Sequence, residues 1–432
     1  MTIADLKNSI DASKIGQEIY DLIVELFPIC RSITGDGVRQ TLKILSKHIP
    51  LEIHEVPSGT KVFDWTVPKE WNIRDAYVKN SSGEKVIDFG KSNLHVLNYS
   101  IPVRKTVPLN ELKKHLFALP DHPDWIPYKT SYYKEDWGFC LRHSQFPSLE
   151  EGEYEVVIDS TLAEGHLTYG ECLIPGESKE EILISTHVCH PSLANDNLSG
   201  VCTAVFLAKQ LKGLSPRYTY RFLFIPGTIG AITWLALNEE QISKIKHGIV
   251  LTGVGDTGKI SYKKSRRGDA EIDRSVCHVL KRSGQAYEIL EFDPYGYDER
   301  QYCSPGFNLP VGRLSRTPYA KYPEYHTSAD NLNFVRPESL GGSFSNLLAV
   351  IEVLENNRTY VNLNPKCEPQ LGKRGLYSSI GTNELAMLWV LNLSDGHNTL
   401  LEISDRSGID FALLNSMGRK LMEKGLLSER VA

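Results

Sequence analysis

The stretch EEILISTHVCHPSLANDNLSG, residues 180–200, decides the fold. An apolar run of strand length ends at His187, and a polar loop follows it. From Leu198 onward apolar residues recur at helical spacing, with Asn197 as the predicted helix cap. A buried strand that leads into an amphipathic helix is typical of a parallel sheet covered by helices. Because ligands bind at the carboxyl ends of such strands, we expect the functional site in this loop.

The alternation of apolar runs and amphipathic helices continues along much of the chain. It predicts an α/β fold with a mostly parallel sheet and helices on both faces. The predicted strands are Glu155–Ile158, Ile182–Thr186, Tyr220–Ile225, Gly248–Thr252 and Val311–Leu314. The predicted helices are Leu198–Lys212, Ala231–Asn238, Ile272–Ser283 and Pro337–Leu354.

A region dense in Tyr, Trp, Pro, His and Asn interrupts the early part of this pattern. Its short β-type runs and weak helical periodicity predict an inserted, mainly β subdomain. We therefore expect an α/β domain formed by residues 1–60 and 156–361, with residues 61–155 as the insertion.

The C-terminal segment, residues 362–432, begins with a Pro, Gly and Asn-rich linker. Its apolar spacing and central Gly408 predict a winged helix-turn-helix, with a wing that begins near Gly425. From Lys366 to Ala432 eight basic residues oppose eight acidic ones, and 8 minus 8 gives zero. DNA-binding domains usually carry a basic surface, which this balanced charge does not provide. We therefore expect a protein-contact or packing role and no DNA partner.

Composition excludes several classes of protein. The chain has 432 residues, of which 41% are hydrophobic, and 48 basic against 53 acidic residues give a net charge of −5. This profile excludes a disordered or fibrous protein, and the length predicts two to four domains at roughly 100–200 residues each.

No stretch approaches the ~20 apolar residues of a membrane span, and Met1–Lys14 lacks the pattern of a signal peptide. We expect a cytoplasmic protein without a membrane partner. Its eight cysteines, none in a C-x-x-C pair, predict neither a zinc ribbon nor a disulfide framework.

Three residues on the strand-to-helix loop suggest a metal site. His187, His190 and Asp196 offer the imidazole and carboxylate ligands that zinc takes in catalytic sites. Taken singly, each residue has a simpler explanation, because the histidines could be core residues and Asp196 a helix cap. Their convergence on one loop favours metal binding.

Two further segments contain candidate metal ligands and a candidate general base. In EYHTSADN, residues 324–331, an extended backbone would project Glu324 and His326 to one face, as a general base beside a metal ligand. Asp330 could orient His326 instead. Asp256 follows another predicted strand in a Gly-rich turn, where it is either a third ligand or a turn residue.

The order of these residues resembles the zinc aminopeptidase and glutamate carboxypeptidase family. The resemblance rests on His187, Asp196 in ANDNLSG, Asp256, the segment YDERQYCSPGFNLP and His326 in YHTSADN. The whole sequence is more similar to a bacterial group of aminopeptidase-like proteins associated with polysaccharide biosynthesis, which carry a β insertion and a C-terminal winged helix. The strings that carry this second resemblance are RSITGDGVRQTL, VPKEWNIRDAY, YKKSRRGD, DERQYCSPGFNLPV and YPEYHTSADNL.

The resemblance implies roles for four residues. His187 would bind one metal, Asp196 would bridge, and Asp256 with His326 would hold the other. The family's glutamate pair, a general base followed by a ligand, is replaced here by Gly227-Thr228. We therefore expect one zinc ion, with two as the alternative, and a base from elsewhere. Glu324 is the first candidate for the base and Glu299 the second.

The substrate side of the site is less determined by sequence. Asp298 and Arg300 are expected either to line the pocket or to pair with each other. Arg266 is expected either to hold a substrate carboxylate or phosphate or to lie in a solvated loop. The sequence predicts a zinc-dependent, aminopeptidase-like hydrolase for a peptide or another amide bond, such as that of an amino-sugar or aminoacyl conjugate. The alternative is a catalytically weak or inactive metal-binding protein with a recognition or regulatory role.

Overall fold

The computed structural model describes residues 2–376 and 382–430. Its strands are β1 (Glu52–Pro57), β2 (Lys61–Val62), β3 (Trp65–Thr66), β4 (Glu70–Lys79), β5 (Lys85–Asp88), β6 (Val103–Pro108), β7 (Leu116–Phe117), β8 (Phe139–Cys140), β9 (Glu153–Ala163), β10 (His166–Ile174), β11 (Glu181–His187), β12 (Thr219–Ile225), β13 (Ile245–Leu251), β14 (Ile260–Lys263), β15 (Tyr287–Leu290), β16 (Val311–Ser315), β17 (Thr359–Asn362), β18 (Asp395–Thr399) and β19 (Leu427–Glu429). Its α-helices are α1 (Ile3–Ser9), α2 (Ala12–Leu26), α3 (Asp36–Leu45), α4 (Leu109–Leu112), α5 (Gly200–Leu211), α6 (Ile229–Leu237), α7 (Glu271–Arg282), α8 (Glu299–Tyr302), α9 (Pro337–Asn356), α10 (Thr382–Leu393), α11 (Leu400–Ser407) and α12 (Phe411–Glu423).

A central sheet of eight strands forms the body of the protein, in the order β1-β10-β12-β11-β13-β16-β14-β15. The neighbours among β12, β11, β13 and β16 are parallel, whereas β10 and β14 join this centre antiparallel. The predicted α/β class is confirmed, with antiparallel strands added on both sides of the parallel centre. Strands β1 and β10 of this sheet were not predicted from the sequence.

Strand β11 lies in the middle of the sheet and is buried on both faces. Ile182 and Ile184 pack into one apolar cluster with helices α2, α5 and α9, while Leu183 packs into a second cluster on the opposite face. That second cluster contains α6 and the core of the insertion. Burial on both faces explains why β11 reads as a continuous apolar run. It also fixes His187, its last residue, at the edge where the loops converge.

The insertion has a sheet of its own, in the order β5-β4-β9-β6. The predicted strand Glu155–Ile158 lies in β9 and belongs to this sheet, so its assignment to the central sheet was wrong. The physical reason is that Val156 is paired with Val78 of β4 on one side and with Lys105 of β6 on the other. The insertion's sheet consequently extends to Ala163.

The C-terminal module combines α10, α11 and α12 with a three-stranded sheet, β18-β17-β19. Gly408 adopts the left-handed conformation (φ 72°) that ends α11 before α12, as expected for the turn of this motif. Strand β17 starts at Thr359, before the predicted boundary at residue 362. Part of the predicted linker, residues 377–381, lies outside the described residues. Within the described residues, the structure contains no helix with the length and apolar character that crossing a membrane requires.

Helices α2 and α9 pack with their backbones in close contact at two glycines. A Cβ on Gly16 would lie 2.1 Å from the carbonyl oxygen of Pro337, and one on Gly341 would lie 2.0 Å from that of Ala12. Gly16→Ala is therefore expected to lower the free energy of unfolding by roughly 1–3 kcal/mol, measured by urea denaturation. The control Gln17→Ala, on the exposed side of α2, should change it by less than about 0.5 kcal/mol. Equal stability of the two variants would contradict the close packing.

Candidate metal centre

Three histidines surround the carboxylate of Asp196 at the carboxyl end of β11. Nε2 of His187 lies 2.9 Å from Oδ1, and Nε2 of His326 lies 3.0 Å from Oδ2. Nε2 of His190 lies 3.8 Å from Oδ2. The structure thus brings together three of the four predicted ligands and His190. It does not include Asp256 in this group.

The electrostatics of this cluster favour a charged carboxylate and a neutral imidazole. Burial alone would raise the pKa of Asp196, but the neighbouring His190, His187 and His326 outweigh it and hold this pKa well below its ordinary value. Burial lowers the pKa of His190 well below that of a free imidazole, although Asp196 opposes the shift. Ionised carboxylate and neutral imidazole are the forms that bind metals.

The carboxylate of Asp330 holds the backbone of the loop that carries Asp196. This carboxylate accepts hydrogen bonds from the backbone N–H groups of Asn195 (2.6 Å) and Asp196 (2.9 Å). The expectation that Asp330 orients His326 was wrong, because its two oxygens are engaged by these backbone donors. Asp330 instead fixes the position of Asp196.

Asn197 ties the loop to two strand ends and does not cap a helix. Its amide donates to Oγ1 of Thr186 (2.8 Å) and to the carbonyl oxygen of Leu251 (3.0 Å). Asp196 and Asn197 have non-helical backbone angles, and helix α5 begins only at Gly200. The side chain therefore bridges the ends of β11 and β13, so the predicted cap was wrong.

Tyr297 is a site residue that the sequence reasoning missed. Its hydroxyl lies 3.1 Å from Oδ2 of Asp196, to which it donates, and 2.7 Å from the hydroxyl of Tyr325. Its ring stacks on His187, with centroids 4.8 Å apart and planes inclined by 17°. A lone tyrosine carries no spacing signal, although the neighbouring Asp298 had been singled out.

The β insertion contributes directly to the site. The backbone N–H of Tyr128 donates to the carbonyl oxygen of His326 (2.7 Å), and the Tyr128 ring packs edge-on against the His326 ring at 5.1 Å. Pro127 forms a β-bridge with Thr327. The insertion therefore fixes the segment that presents His326.

Asp256 lies beside the cluster and has other partners. Its carboxylate accepts hydrogen bonds from the Thr317 hydroxyl (2.6 Å), the Asn195 amide (3.0 Å) and the Gly258 backbone (2.7 Å). It makes no ion pair with a histidine among the described residues. In this structure Asp256 supports Asn195, the residue before Asp196.

The two candidate bases have different surroundings. Residues around Glu324 form a turn, and His326 adopts a left-handed conformation (φ 56°), so the expected extended segment was wrong. The Glu324 side chain is half-buried and makes no hydrogen bond or ion pair within the part of the chain described. Glu299 is fully buried and pairs with Lys263 (3.0 Å) and Arg313 (3.4 Å). Its charge is already neutralised by two cations.

Asp298 lies next to Gly227, which stands where the resemblance expects a glutamate. A Cβ on Gly227 would lie 3.1 Å from Cβ of His187 and 3.6 Å from Oδ1 of Asp298. Asp298 is fully buried, and burial raises its pKa to about 7, while His187 lowers it. Neither of its oxygens has a hydrogen-bond partner among the described residues.

The two predicted arginines lie in different environments. Arg300 forms no ion pair with Asp298 among the described residues, and its buried Nε has no hydrogen-bond partner there. Arg266 is exposed and donates to Oδ1 of Asn308 at 3.0 Å. That contact places the Arg266 side chain in a surface loop.

An open cleft of about 950 Å³ lies between the α/β body and the insertion. The body contributes Asp36 and Gln40, and the insertion contributes Asn72 and Arg74. Its lining also includes residues from the loops that carry His190 and His326, namely Ser192, Ser328 and Asn331. The side chains of the cluster, His187, His190, Asp196 and His326, are not part of its lining, so the cleft opens beside the histidine cluster.

The residues present fit a zinc ion. One ligand atom from each of His187, His190 and Asp196 lies within 4.8 Å of the others. Both carboxylate oxygens of Asp298 are buried without a hydrogen-bond partner among the described residues. Nitrogen and oxygen donors of this kind, gathered at one point, are the ligand set of catalytic zinc. These residues could hold a metal ion.

The fold and the strand-end cluster define an aminopeptidase-like α/β protein with a β insertion and a C-terminal winged helix. A family model described as "Domain of unknown function (DUF4910)" matches residues 20–357, and a winged helix-turn-helix model matches residues 358–429. The chain belongs to the DUF4910 family.

Relatives agree with this assignment. A protein of Clostridium acetobutylicum, named for polysaccharide biosynthesis and for an aminopeptidase-like domain, is 59% identical over 407 residues, which cover 93% of this chain and 94% of that protein. A crystal structure of a C. acetobutylicum protein assigned to the peptidases has a TM-score of 0.95 and 56% identity, and covers 99% of this chain and 100% of that one. The resemblance to the bacterial aminopeptidase-like group is confirmed.

A more distant structure shares the fold. The zinc aminopeptidase BSAP of Bacillus subtilis has a TM-score of 0.58 at 11% identity, and the match covers 78% of this chain and 95% of that one. At this identity the likeness concerns the fold alone.

Proposed function

We propose that this protein is a zinc-dependent hydrolase that cleaves an amide bond in a small peptide, an aminoacyl conjugate or an amino-sugar conjugate. One observation carries the proposal: His187, His190 and His326 converge on the buried Asp196 at the carboxyl end of the central strand. The aminopeptidase-like fold and the names of the relatives support the reaction class and the association with polysaccharide biosynthesis.

The metal would be held by these three histidines and Asp196. A single zinc ion fits the three donor atoms that lie closest together, and two ions remain the alternative. When bound, zinc polarises a carbonyl and lowers the pKa of water. Tyr297 donates a hydrogen bond to Asp196 and would keep its carboxylate in a fixed orientation.

The proton acceptor we propose is Glu324. Its side chain makes no ion pair or hydrogen bond within the described residues, so the carboxylate is free to take a proton, and it lies two residues before His326. Glu299 is unsuited to this role because its carboxylate is already engaged by ion pairs with Lys263 and Arg313. Full hydrolytic activity in Glu324→Gln would remove Glu324 from the mechanism.

The substrate would enter through the cleft beside the cluster. A volume of about 950 Å³ lies at the upper end of the 300–1,000 Å³ that is usual for small-molecule sites. Its lining combines amides and charged groups, including Asn72, Arg74 and Lys91, which suits a polar substrate. We propose that Asp298 and Arg300 lie at the metal end of the substrate path.

The C-terminal module would act through protein contacts or through packing against the body. Acidic residues of α11 face the body helix α7: Asp405 lies 2.7 Å from His278, and Glu402 pairs with Arg274. One continuous apolar core also contains residues of both parts, such as Phe344 and Leu400. Together with the balanced charge, these contacts favour packing over DNA binding.

A panel of aminoacyl arylamides, peptides and N-acylated amino sugars tests this function. Hydrolysis of at least one class is expected, because the zinc-type site carries a neutral imidazole and a charged carboxylate, and the activity should disappear with a chelator and return with zinc. The exposed Asp269→Asn is the control and should behave as the unmodified protein. Zinc binding without hydrolysis across the whole panel would favour the recognition or regulatory alternative. An activity that is indifferent to the chelator would contradict the zinc mechanism.

A further inference from the structure

The carboxylate of Asp298 is unusual in its surroundings. The side chain is fully buried, and neither oxygen has a hydrogen-bond partner among the described residues. No ion pair reaches it there either. A buried carboxylate without a partner is costly, so such a group points to a bound cation or another absent partner.

The cationic side chains nearest to Asp298 do not pair with its carboxylate. The neighbouring carboxylate of Glu299 takes Lys263 and Arg313 as partners. Arg300 lowers the pKa of Asp298 through its charge but forms no ion pair with it. The positive charge must come from the cluster on the other side of Asp298.

The geometry beside Gly227 shows what Asp298 faces. A Cβ at position 227 would lie between Cβ of His187 (3.1 Å) and Oδ1 of Asp298 (3.6 Å). A Cβ at position 227 would therefore be tight against His187 and in ordinary contact with Asp298. The carboxylate of Asp298 thus lies within van der Waals distance of the point where a side chain at position 227 would begin. The adjacent residue, Tyr297, is in contact with both Asp196 and His187.

We propose that Asp298 is a carboxylate of the metal site and supplies the negative charge that position 227 lacks. Asp196 and Asp298 would together neutralise a divalent cation, while the histidines contribute nitrogen ligands. This inference rests on the proposed function, because it needs a cation at the cluster. It assigns to Asp298 a role in cation binding that goes beyond lining the substrate path.

Zinc binding by the full chain tests the role of Asp298. Zinc affinity is measured by competition with a chromophoric chelator for the unmodified protein, Asp298→Asn and the exposed control Asp269→Asn. Asp298→Asn keeps the shape of the side chain and removes its charge. We expect its zinc affinity to fall by at least about tenfold, the lower end of the loss seen when groups supporting metal ligands are changed. The control should bind as the unmodified protein does.

Thermal unfolding with and without zinc separates this role from a structural one. Without metal, Asp298→Asn should unfold at a higher temperature than the unmodified protein, because an unpaired buried charge is removed. Its gain in unfolding temperature on adding zinc should be smaller. Unchanged zinc affinity, or an equal loss of stability with and without zinc, would overturn the role of Asp298 alone. Failure of the unmodified protein to bind zinc would overturn the proposed function and this inference together.

Discussion

Replacing Asp196 with asparagine is expected to abolish zinc binding and every chelator-sensitive activity of the protein. The carboxylate is contacted by His187, His326 and Tyr297, with His190 slightly farther away at 3.8 Å, so it is the centre of the site. An amide has the same shape but no charge to offset that of a cation. Zinc affinity should fall by more than about 100-fold, beyond the ~10–100-fold loss from changes in groups that only support ligands.

Zinc content by mass spectrometry and hydrolysis on the responsive substrate check this prediction. Asp269→Asn is again the control, because it makes the same substitution on an exposed loop. The unfolding temperature of metal-free Asp196→Asn should show that the variant is folded. A folded variant that retains zinc and activity would show that the metal, if bound, lies elsewhere.

Replacing Glu299 with glutamine is expected to destabilise the fold by about 3–5 kcal/mol. Glu299 is fully buried, and its carboxylate lies between Lys263 (3.0 Å) and Arg313 (3.4 Å). Removing the negative charge leaves two buried cations without their counter-ion, which is costlier than losing an exposed pair. Urea denaturation measures the change.

The control is the surface ion pair of Lys264, the residue that follows Lys263 in the sequence. Lys264 pairs with Glu291 at 2.7 Å, and 75% of the Glu291 side chain is exposed. Because exposed pairs contribute little, Glu291→Gln should change the free energy of unfolding by less than about 1 kcal/mol. If Glu299→Gln were as stable as the control but had lost hydrolysis, Glu299 would be the proton acceptor and not a structural residue.

Those parts of the site that follow from a single rule of the fold could be predicted from the sequence. Parallel strands end at one edge of a sheet, so His187 and Asp196 were found from the strand and its loop alone. His326 was found from its order in the chain, although its backbone was not predicted. Its backbone is left-handed and accepts a hydrogen bond from Tyr128 of the insertion, far away in sequence.

The hydrogen-bond partners of other residues could not be predicted, because tertiary packing sets them. Asp256 lies past a strand end, as predicted, but Thr317 and Asn195 engage its carboxylate. Asp330 was expected to orient a histidine, yet it holds the backbone of Asn195 and Asp196. A sequence shows which polar groups are near the site, but it does not show which donors will form hydrogen bonds with them in the fold.

The same reasoning applies to the fold. The helices of the body agree with the predicted ones, because apolar residues at helical spacing pack onto the sheet. Strand β9 was assigned to the wrong sheet, since an apolar run of strand length does not reveal its partner strands. The edge strand β1 was missed because most of its residues are exposed or half-buried.

Anomalous diffraction from zinc-loaded crystals tests the central claim most directly. We predict a zinc peak about 2.0–2.2 Å from Asp196 and from imidazole nitrogens of the surrounding histidines, the usual distances for zinc ligands. A peak at another place, such as Asp256 without Asp196, or no peak in zinc-saturated crystals, would contradict the proposed metal centre.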